Sequence, residues 1–460
     1  MKTVTGSGVW AALLARPPRG VSQEAPRHVA ELLSRLGDPH QGLPVIHVAG
    51  TNGKTTTTRT IDAVLSAAGL RVGRFTSPHL QSPDERITLA GRPLSEAQLT
   101  GAYRRLAPEL ARLDARAGAA PFFTAVTALA LIAFASARPD VAVIEAGIGG
   151  RDDATNAVDG RVAVICPIAA DHQAQLGPSL AGIAAHKAGI IKRGARVVMA
   201  AQPPTVEAVV RRAAHARGAA VVAGDRRLSL LHRRAVPGGQ RLSLRGYGDR
   251  HMNLDLPVLG GHQVANAMTA IVAAQEFLDA RNETLDRHAI RTGLAKVTAP
   301  GRMERVAQDP PVIIDVTHNP AGMAVTAKAI RQAFGGRRPV AVFAAAGDKD
   351  APAMLAALAP VVGELILTSS GARCWDPGKL APVARRMWER VDVMENLGQA
   401  IGEARSRTST GVVVTGSVVT AGAARELFRP AAGDGAAERA PDTGPRHPGR
   451  LQDLGYASLG

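Results

Sequence analysis

Cysteine is almost absent from this chain. Cys166 and Cys374 are the only two in 460 residues and stand far apart. A disulfide scaffold and a cysteine-ligated zinc site are excluded, and a reducing cytoplasm fits. Aromatic residues make up only 3%. No basic run interleaves with them, so the stacking pattern of a nucleic-acid binder is missing. Lysine is scarce as well: eight of the 55 basic residues, at 2, 54, 187, 192, 296, 328, 349 and 379. The formal charge of +16 therefore rests on scattered arginines. That distribution suits small anionic substrates better than a polyanion groove. Long apolar runs are few. The uncharged stretch 119–137 approaches the roughly 20 residues of a membrane span, but it contains Pro121, Thr124, Thr127 and Ser136 and predicts a buried helix. The apolar residues 9–15 end in Arg-Pro-Pro-Arg, a poor signal peptide. Neither a nucleic-acid nor a membrane partner is expected.

What is present is a 46% hydrophobic chain with 48 glycines, the composition of a globular α/β protein. Residues 1–26 read as irregular, and residues 29–36 as a short helix. Apolar runs at 45–49, 141–144, 162–165 and 197–200 predict strands, with helical segments between them. This alternation implies a parallel sheet. After Thr298-Ala-Pro-Gly-Arg302, five more runs at 312–316, 340–345, 365–368, 391–394 and 412–415 predict a smaller α/β domain. The expected domains are 1–298, a nucleotide-binding parallel-sheet domain, and 299–430, a Rossmann-like one. The Ala-, Gly- and Pro-rich residues 431–460 read as a disordered tail.

Three motifs carry chemistry. Gly50-Thr51-Asn52-Gly53-Lys54-Thr55 follows a buried strand and opens a helix. Glycines let backbone N–H groups turn toward a phosphate, the helix start supplies its dipole, lysine reaches the β/γ-phosphates and threonine offers a hydroxyl to Mg²⁺. The loop is two residues shorter between its glycines than the usual P-loop spacing. Second, Glu145 ends the run 141–144, where a nucleotide-binding sheet holds Mg²⁺. Gly147, Gly149 and Gly150 then allow a close backbone approach. Third, Asp171-His172 follows the strand at 162–165, and Lys187 lies shortly after. A histidine there is a metal ligand or a loop-stabilising residue, and such a lysine is ordinarily solvated.

These elements, in this order, resemble the folate branch of the Mur ligase superfamily, the folylpolyglutamate and dihydrofolate synthases. The matching stretches include His47-Val-Ala-Gly-Thr-Asn-Gly-Lys54, Thr76-Ser-Pro-His-Leu80, Glu85-Arg-Ile87, Gly149-Gly-Arg151 and Asp153-Ala-Thr-Asn156. Further matches are Lys187-Ala-Gly-Ile-Ile191, Gly261-His-Gln-Val-Ala-Asn266, Pro300-Gly-Arg302, Asp315-Val-Thr-His318-Asn-Pro320, Gly347-Asp-Lys-Asp350 and Thr415-Gly-Ser417. The resemblance runs from about residue 25 to about residue 430.

The resemblance implies an ATP-dependent ligase that adds L-glutamate to a folate, to dihydropteroate or to both, through an acyl phosphate. It implies ATP on Gly50, Thr51, Asn52, Gly53, Lys54, Thr55, Gln263, Asn266, Arg302 and Asp315. It puts one Mg²⁺ on Thr55, Ser77 and Glu145, and a second on His172 and Lys187. Lys187 matches a lysine that the family carbamylates, which would turn an amine into a carboxylate ligand. Lys54, Lys187, Asp315 and His318 are the implied catalytic residues. Phe122, Phe123, Thr124 and Arg151 are implied on the acid-substrate side. A cytoplasmic monomer is the expectation. Thr124, Asp152, Gln173, His186 and Gln81 depart from the family pattern. A paralogue for another carboxylic acid and a non-catalytic P-loop protein are therefore the alternatives.

Overall fold

The computed structural model describes residues 5–18, 23–247 and 249–429. The proposed tail at 431–460 lies outside them. The chain divides into two compact units. The first takes residues up to Pro257 together with His262–Thr298. The second takes Val258–Gly261 and the residues from Ala299 onward.

The first unit is built on an eight-stranded sheet. Its order is Arg92–Pro93, Ile87–Leu89, Val72–Phe75, Val141–Glu145, Val45–Ala49, Gly160–Ile165, Arg196–Met199 and Ala220–Ala223. The strands from 72–75 to 220–223 pair in parallel, and 87–89 and 92–93 add an antiparallel edge. The runs 45–49 and 141–145 are buried at every residue, as expected of a sheet covered on both faces. One face packs against the helix Phe122–Ala137, where Phe122, Leu129 and Phe134 join Phe75 and Ile144 in the core. The other packs Ile165, Val197 and Met199 against Ile183 and Val210. On the first face the Phe134 ring lies so close to Gly73 that a β-carbon there would come within 2.9 Å of it. The second unit has a six-stranded sheet of order Glu304–Gln308, Pro311–Ile314, Val412–Thr415, Val340–Phe343, Glu364–Leu367 and Val391–Val393. All its pairings are parallel except that of 304–308 with 311–314.

The structure adds several elements to the sequence-based expectation, among them the strands 72–75, 87–89, 220–223 and 304–308, and two of the differences are larger. Residues 1–26 are not irregular throughout: Gly6–Leu14 is a helix. The Thr5 side chain caps it by accepting from Gly8 N–H, and Val9, Trp10 and Leu13 are buried. Composition hid this, because Gly6-Ser-Gly8 reads as a loop until its cap is seen. The second is an antiparallel meander, Leu228–Val236, Gly239–Gly246 and Asp249–Leu256. Its first strand is largely exposed and carries His232, Arg233 and Arg234, so it has no apolar run to mark it.

The glycine-loop helix, Lys54–Ala67, is fastened to the strand 72–75 by a buried ion pair. Arg74 Nη1 stands 2.6 Å from Asp62 Oδ2, with side-chain exposures of 10% and 6%. Removing one partner leaves an unpaired charge in the interior. Asp62→Ala is therefore expected to destabilise the protein by about 3–5 kcal/mol, and the double change Asp62→Leu/Arg74→Met by distinctly less. Chemical denaturation of the three proteins measures both. Equal losses in the single and double variants would contradict the pairing.

Candidate active site

The carboxyl ends of the central parallel strands 45–49, 141–145 and 160–165 bring the first unit's polar residues together. Gly53 sits at the helix start with φ +82°, a left-handed conformation that glycine adopts without strain. A β-carbon on Gly53 would also run into the Asn266 side chain. The short loop is braced from behind: Thr51 and Asn52 N–H both donate to Pro167 O, at 2.9 and 3.1 Å. Thr51 Oγ1 donates to Ala169 O at 3.0 Å. The loop leads straight into the start of the helix Lys54–Ala67, the end of a helix dipole that attracts anions. Lys54 Nζ donates to Thr51 O at 3.2 Å, which folds the side chain back over the loop.

Glu145 is the meeting point. Its carboxylate, 1% exposed, accepts the Thr55 hydroxyl at 2.8 Å and the Ser77 N–H at 3.2 Å. Three segments far apart in sequence thereby converge on one buried anion. The 77–82 loop is held by Glu85, which accepts from Leu80, Gln81 and Ser82 N–H at 2.8, 2.9 and 3.0 Å. Lys187, 3% exposed, donates to Gly50 O at 2.9 Å. It therefore reaches the first residue of the glycine loop and is not the solvated lysine that local sequence suggests. Gln263 Oε1 accepts from Asn266 Nδ2 at 3.0 Å, and both are buried. His172 is half-buried, has φ +51° and takes Asp171 Oδ1 on its own N–H at 2.9 Å. Cys166 lies beneath the loop. Burial pushes its thiol up to about 11, with opposing help from Thr57 and Lys54, so it stays protonated and inert.

Phe122, Phe123 and Thr124 open their helix as buried residues. Phe123 stacks on Phe75 at 5.8 Å, and the Arg86 guanidinium lies 5.0 Å from the Phe122 ring centre. The exposed Arg151 side chain reaches His186 Nε2 at 2.9 Å and Asp152 at 3.5 Å. His186 Nδ1 lies 3.6 Å from Asp152 Oδ2. Two departures from the family pattern, Asp152 and His186, are thus neighbours in space and share Arg151. Behind them Gly150 packs so tightly that a β-carbon would fall 2.7 Å from the Lys187 carbonyl oxygen and 2.8 Å from that of His186.

In the second unit the Asp315 carboxylate is buried. It accepts from Met303 N–H, Thr317 N–H and the Thr326 hydroxyl at 2.9, 3.0 and 3.1 Å. His318 Nδ1 lies 3.0 Å from Val316 O. A carbonyl only accepts, so Nδ1 carries a hydrogen, and in the neutral ring Nε2 is then the acceptor. Arg302 donates to Pro300 O at 2.6 Å.

Sequence reading gave no role to His47, Glu85 or Asp153. Glu85 had a visible signal, its place in Glu85-Arg-Ile87 just after the Ser-Pro loop. His47 had one too, a lone imidazole inside an apolar strand.

Family models match two stretches: the Mur ligase middle domain over residues 111–274, and the Mur ligase glutamate ligase domain over 301–418. The chain is 42% identical, over 87% of its length and 89% of the relative's, to the dihydrofolate synthase/folylpolyglutamate synthase of Mycobacterium tuberculosis. It is 34% identical, over 87% of its length and 94% of the relative's, to the folylpolyglutamate synthase of Lacticaseibacillus casei. Among solved structures, the M. tuberculosis folylpolyglutamate synthase complexed with ADP superposes with TM-score 0.85 at 41% identity, covering 92% of this chain and 98% of that one. An FPGS–AMPPCP–folate complex gives TM-score 0.81 at 32% identity, with the same coverage.

Proposed function

We infer the chemistry of this site from the family to which the chain belongs, the folylpolyglutamate and dihydrofolate synthases of the Mur ligase fold: it is an ATP-dependent ligase that joins glutamate to a folate. The convergence of Thr55, Ser77 and Glu145 carries this reading for the site itself. At the foot of the glycine loop the buried Glu145 carboxylate and the Thr55 hydroxyl are two adjacent oxygen donors suited to a hard divalent cation, and the Ser77 amide brings that residue to the same carboxylate. Thr55, Ser77 and Glu145 would hold Mg²⁺, which when bound supplies neutralisation of phosphate charge. His172 and a carbamylated Lys187 are proposed for a second ion. The buried Lys187 amine at the loop supports that role.

In the proposed reaction a substrate carboxylate oxygen takes the γ-phosphoryl group of ATP, the bond to the β-phosphate breaks, and ADP leaves an acyl phosphate behind. The amine of glutamate then attacks the acyl carbon, and phosphate departs with its bonding pair. Gly50, Thr51, Asn52, Gly53, Gln263 and Asn266 shape the ATP site, and Lys54 offsets charge on the migrating group. Arg302, Asp315 and His318 are assigned to ATP and glutamate. The Asp315 carboxylate organises its own turn, and His318 Nε2 has the lone pair that a proton from the amine requires. Phe122, Phe123, Thr124 and Arg151 are assigned to the acid side. The acting species is proposed as a monomer in the cytoplasm, where its free thiols persist. No helix among the described residues is long and apolar enough to cross a membrane.

The test is incubation with ATP, Mg²⁺ and L-glutamate against tetrahydrofolate, dihydropteroate and unrelated carboxylic acids, read by mass spectrometry. A one-glutamate mass gain on tetrahydrofolate is expected, and gain on dihydropteroate would add the second activity. Gain confined to an unrelated acid, or none, overturns the assignment.

A further inference from the structure

His47 stands three residues before the glycine loop, on the central strand 45–49, and is fully buried. Gly160 on the neighbouring strand leaves it room: a β-carbon there would come 3.1 Å from His47 Cβ. His47 Nε2 lies 2.9 Å from Thr155 Oγ1. The Thr155 hydroxyl lies 2.6 Å from Asp153 Oδ1. Asp153 also accepts Thr155 N–H at 3.0 Å and Ile148 N–H at 2.8 Å.

The direction of each bond follows from these partners. A carboxylate that accepts two amides acts as an acceptor, so the single Thr155 hydroxyl proton points to Asp153. The Thr155 oxygen must then accept from His47, and His47 carries its hydrogen on Nε2. Burial, reinforced by Lys192, holds the imidazole pKa down at about 3, so the ring is a neutral donor across the working range. A chain of hydrogen bonds thus runs from the strand bearing the glycine loop, through Thr155 and Asp153, to the backbone of Ile148. It spans the loop after Glu145 from end to end. That loop carries Gly150 against the carbonyls of His186 and Lys187, and it carries Arg151.

We propose that His47 is a positioning residue: by donating to Thr155 it fixes the 148–155 loop, and through it the acid-substrate side, relative to the glycine loop. The assignment of that side rests on the proposed function; the clamp itself does not. Buried hydrogen bonds of this kind lose their partners expensively.

The experiment compares His47→Leu, which removes the donor, with His47→Gln, whose amide nitrogen reaches the place of Nε2, and with Thr155→Val. In the native enzyme, measurable glutamate ligation must come first; its absence defeats the functional assignment and leaves the clamp to the exchange measurement below. Given ligation, His47→Leu and Thr155→Val should each raise KM for the acid about tenfold, with KM for ATP within about twofold. The double variant should be no worse than either single. His47→Gln should stay within about threefold of native. No new inflection should enter the pH profile. Independently of activity, hydrogen exchange in His47→Leu should accelerate in peptides covering 148–156 but not in those covering 53–60. Exchange that accelerates nowhere, or equally in both segments, overturns the clamp. Equal rises in both KM values, or His47→Gln as impaired as His47→Leu, overturn its role in placing the acid.

Discussion

Lys54→Ala should lower turnover about a thousandfold or more, the scale expected when a fixed charge is removed from a transferring phosphoryl group, and leave stability nearly unchanged. The two halves of this expectation come from the same geometry. Lys54 opens its helix, is only part-buried, and makes a single 3.2 Å bond to the Thr51 carbonyl, an oxygen that water can serve equally well. Losing it should shift stability by no more than about 0.5 kcal/mol. Steady-state ligation assays and thermal melts on one preparation check both. Turnover within tenfold of native would remove Lys54 from phosphoryl transfer. A large drop in melting temperature would make it a structural residue instead.

Lys187→Ala should be comparably inactive, yet partly recoverable. The side chain is buried against Gly50 O, so the variant leaves a slot reaching the start of the glycine loop. If the amine acts as its carbamate, a small carboxylate in that slot should restore part of the activity, and acetate at about 50–100 mM is the probe. Lys187→Arg separates this from a merely structural role. Arginine keeps a donor for the Gly50 carbonyl and a positive charge, but its guanidinium stays protonated and forms no carbamate. The expected result is an inactive Lys187→Arg that acetate does not help, beside a Lys187→Ala that it does. An active Lys187→Arg would show that a donor and a positive charge at this place suffice and that no carbamate is needed.

Much of this architecture was readable from the chain, for a physical reason. Strands buried on both faces, such as 45–49, 141–145 and 412–415, are near-continuous apolar runs that stand out directly. Strand 72–75 was missed because Gly73 and Arg74 interrupt it. Arginine is tolerated there only because Asp62, twelve residues earlier, neutralises it. The glycine loop and the strand-tip Glu145 were legible because phosphate binding demands those residue types locally. That Thr55, Ser77 and Glu145 meet was implied only by the family resemblance; no local pattern carries it, since the contacts span 90 and 68 residues. Lys187 shows the same limit: its helix gives no sign of burial, and only the fold turns it toward Gly50.

The crowding at Gly150 has a genetic consequence. What blocks a side chain there is main chain, the carbonyls of residues 186 and 187, and main chain cannot be trimmed by a codon change. Gly73 is blocked instead by the ring of Phe134. A selection for revertants should therefore recover Gly73→Ala readily through second-site changes such as Phe134→Leu. Gly150→Ala should return almost only as true reversion to glycine, and libraries built on this scaffold would do well to leave that codon fixed.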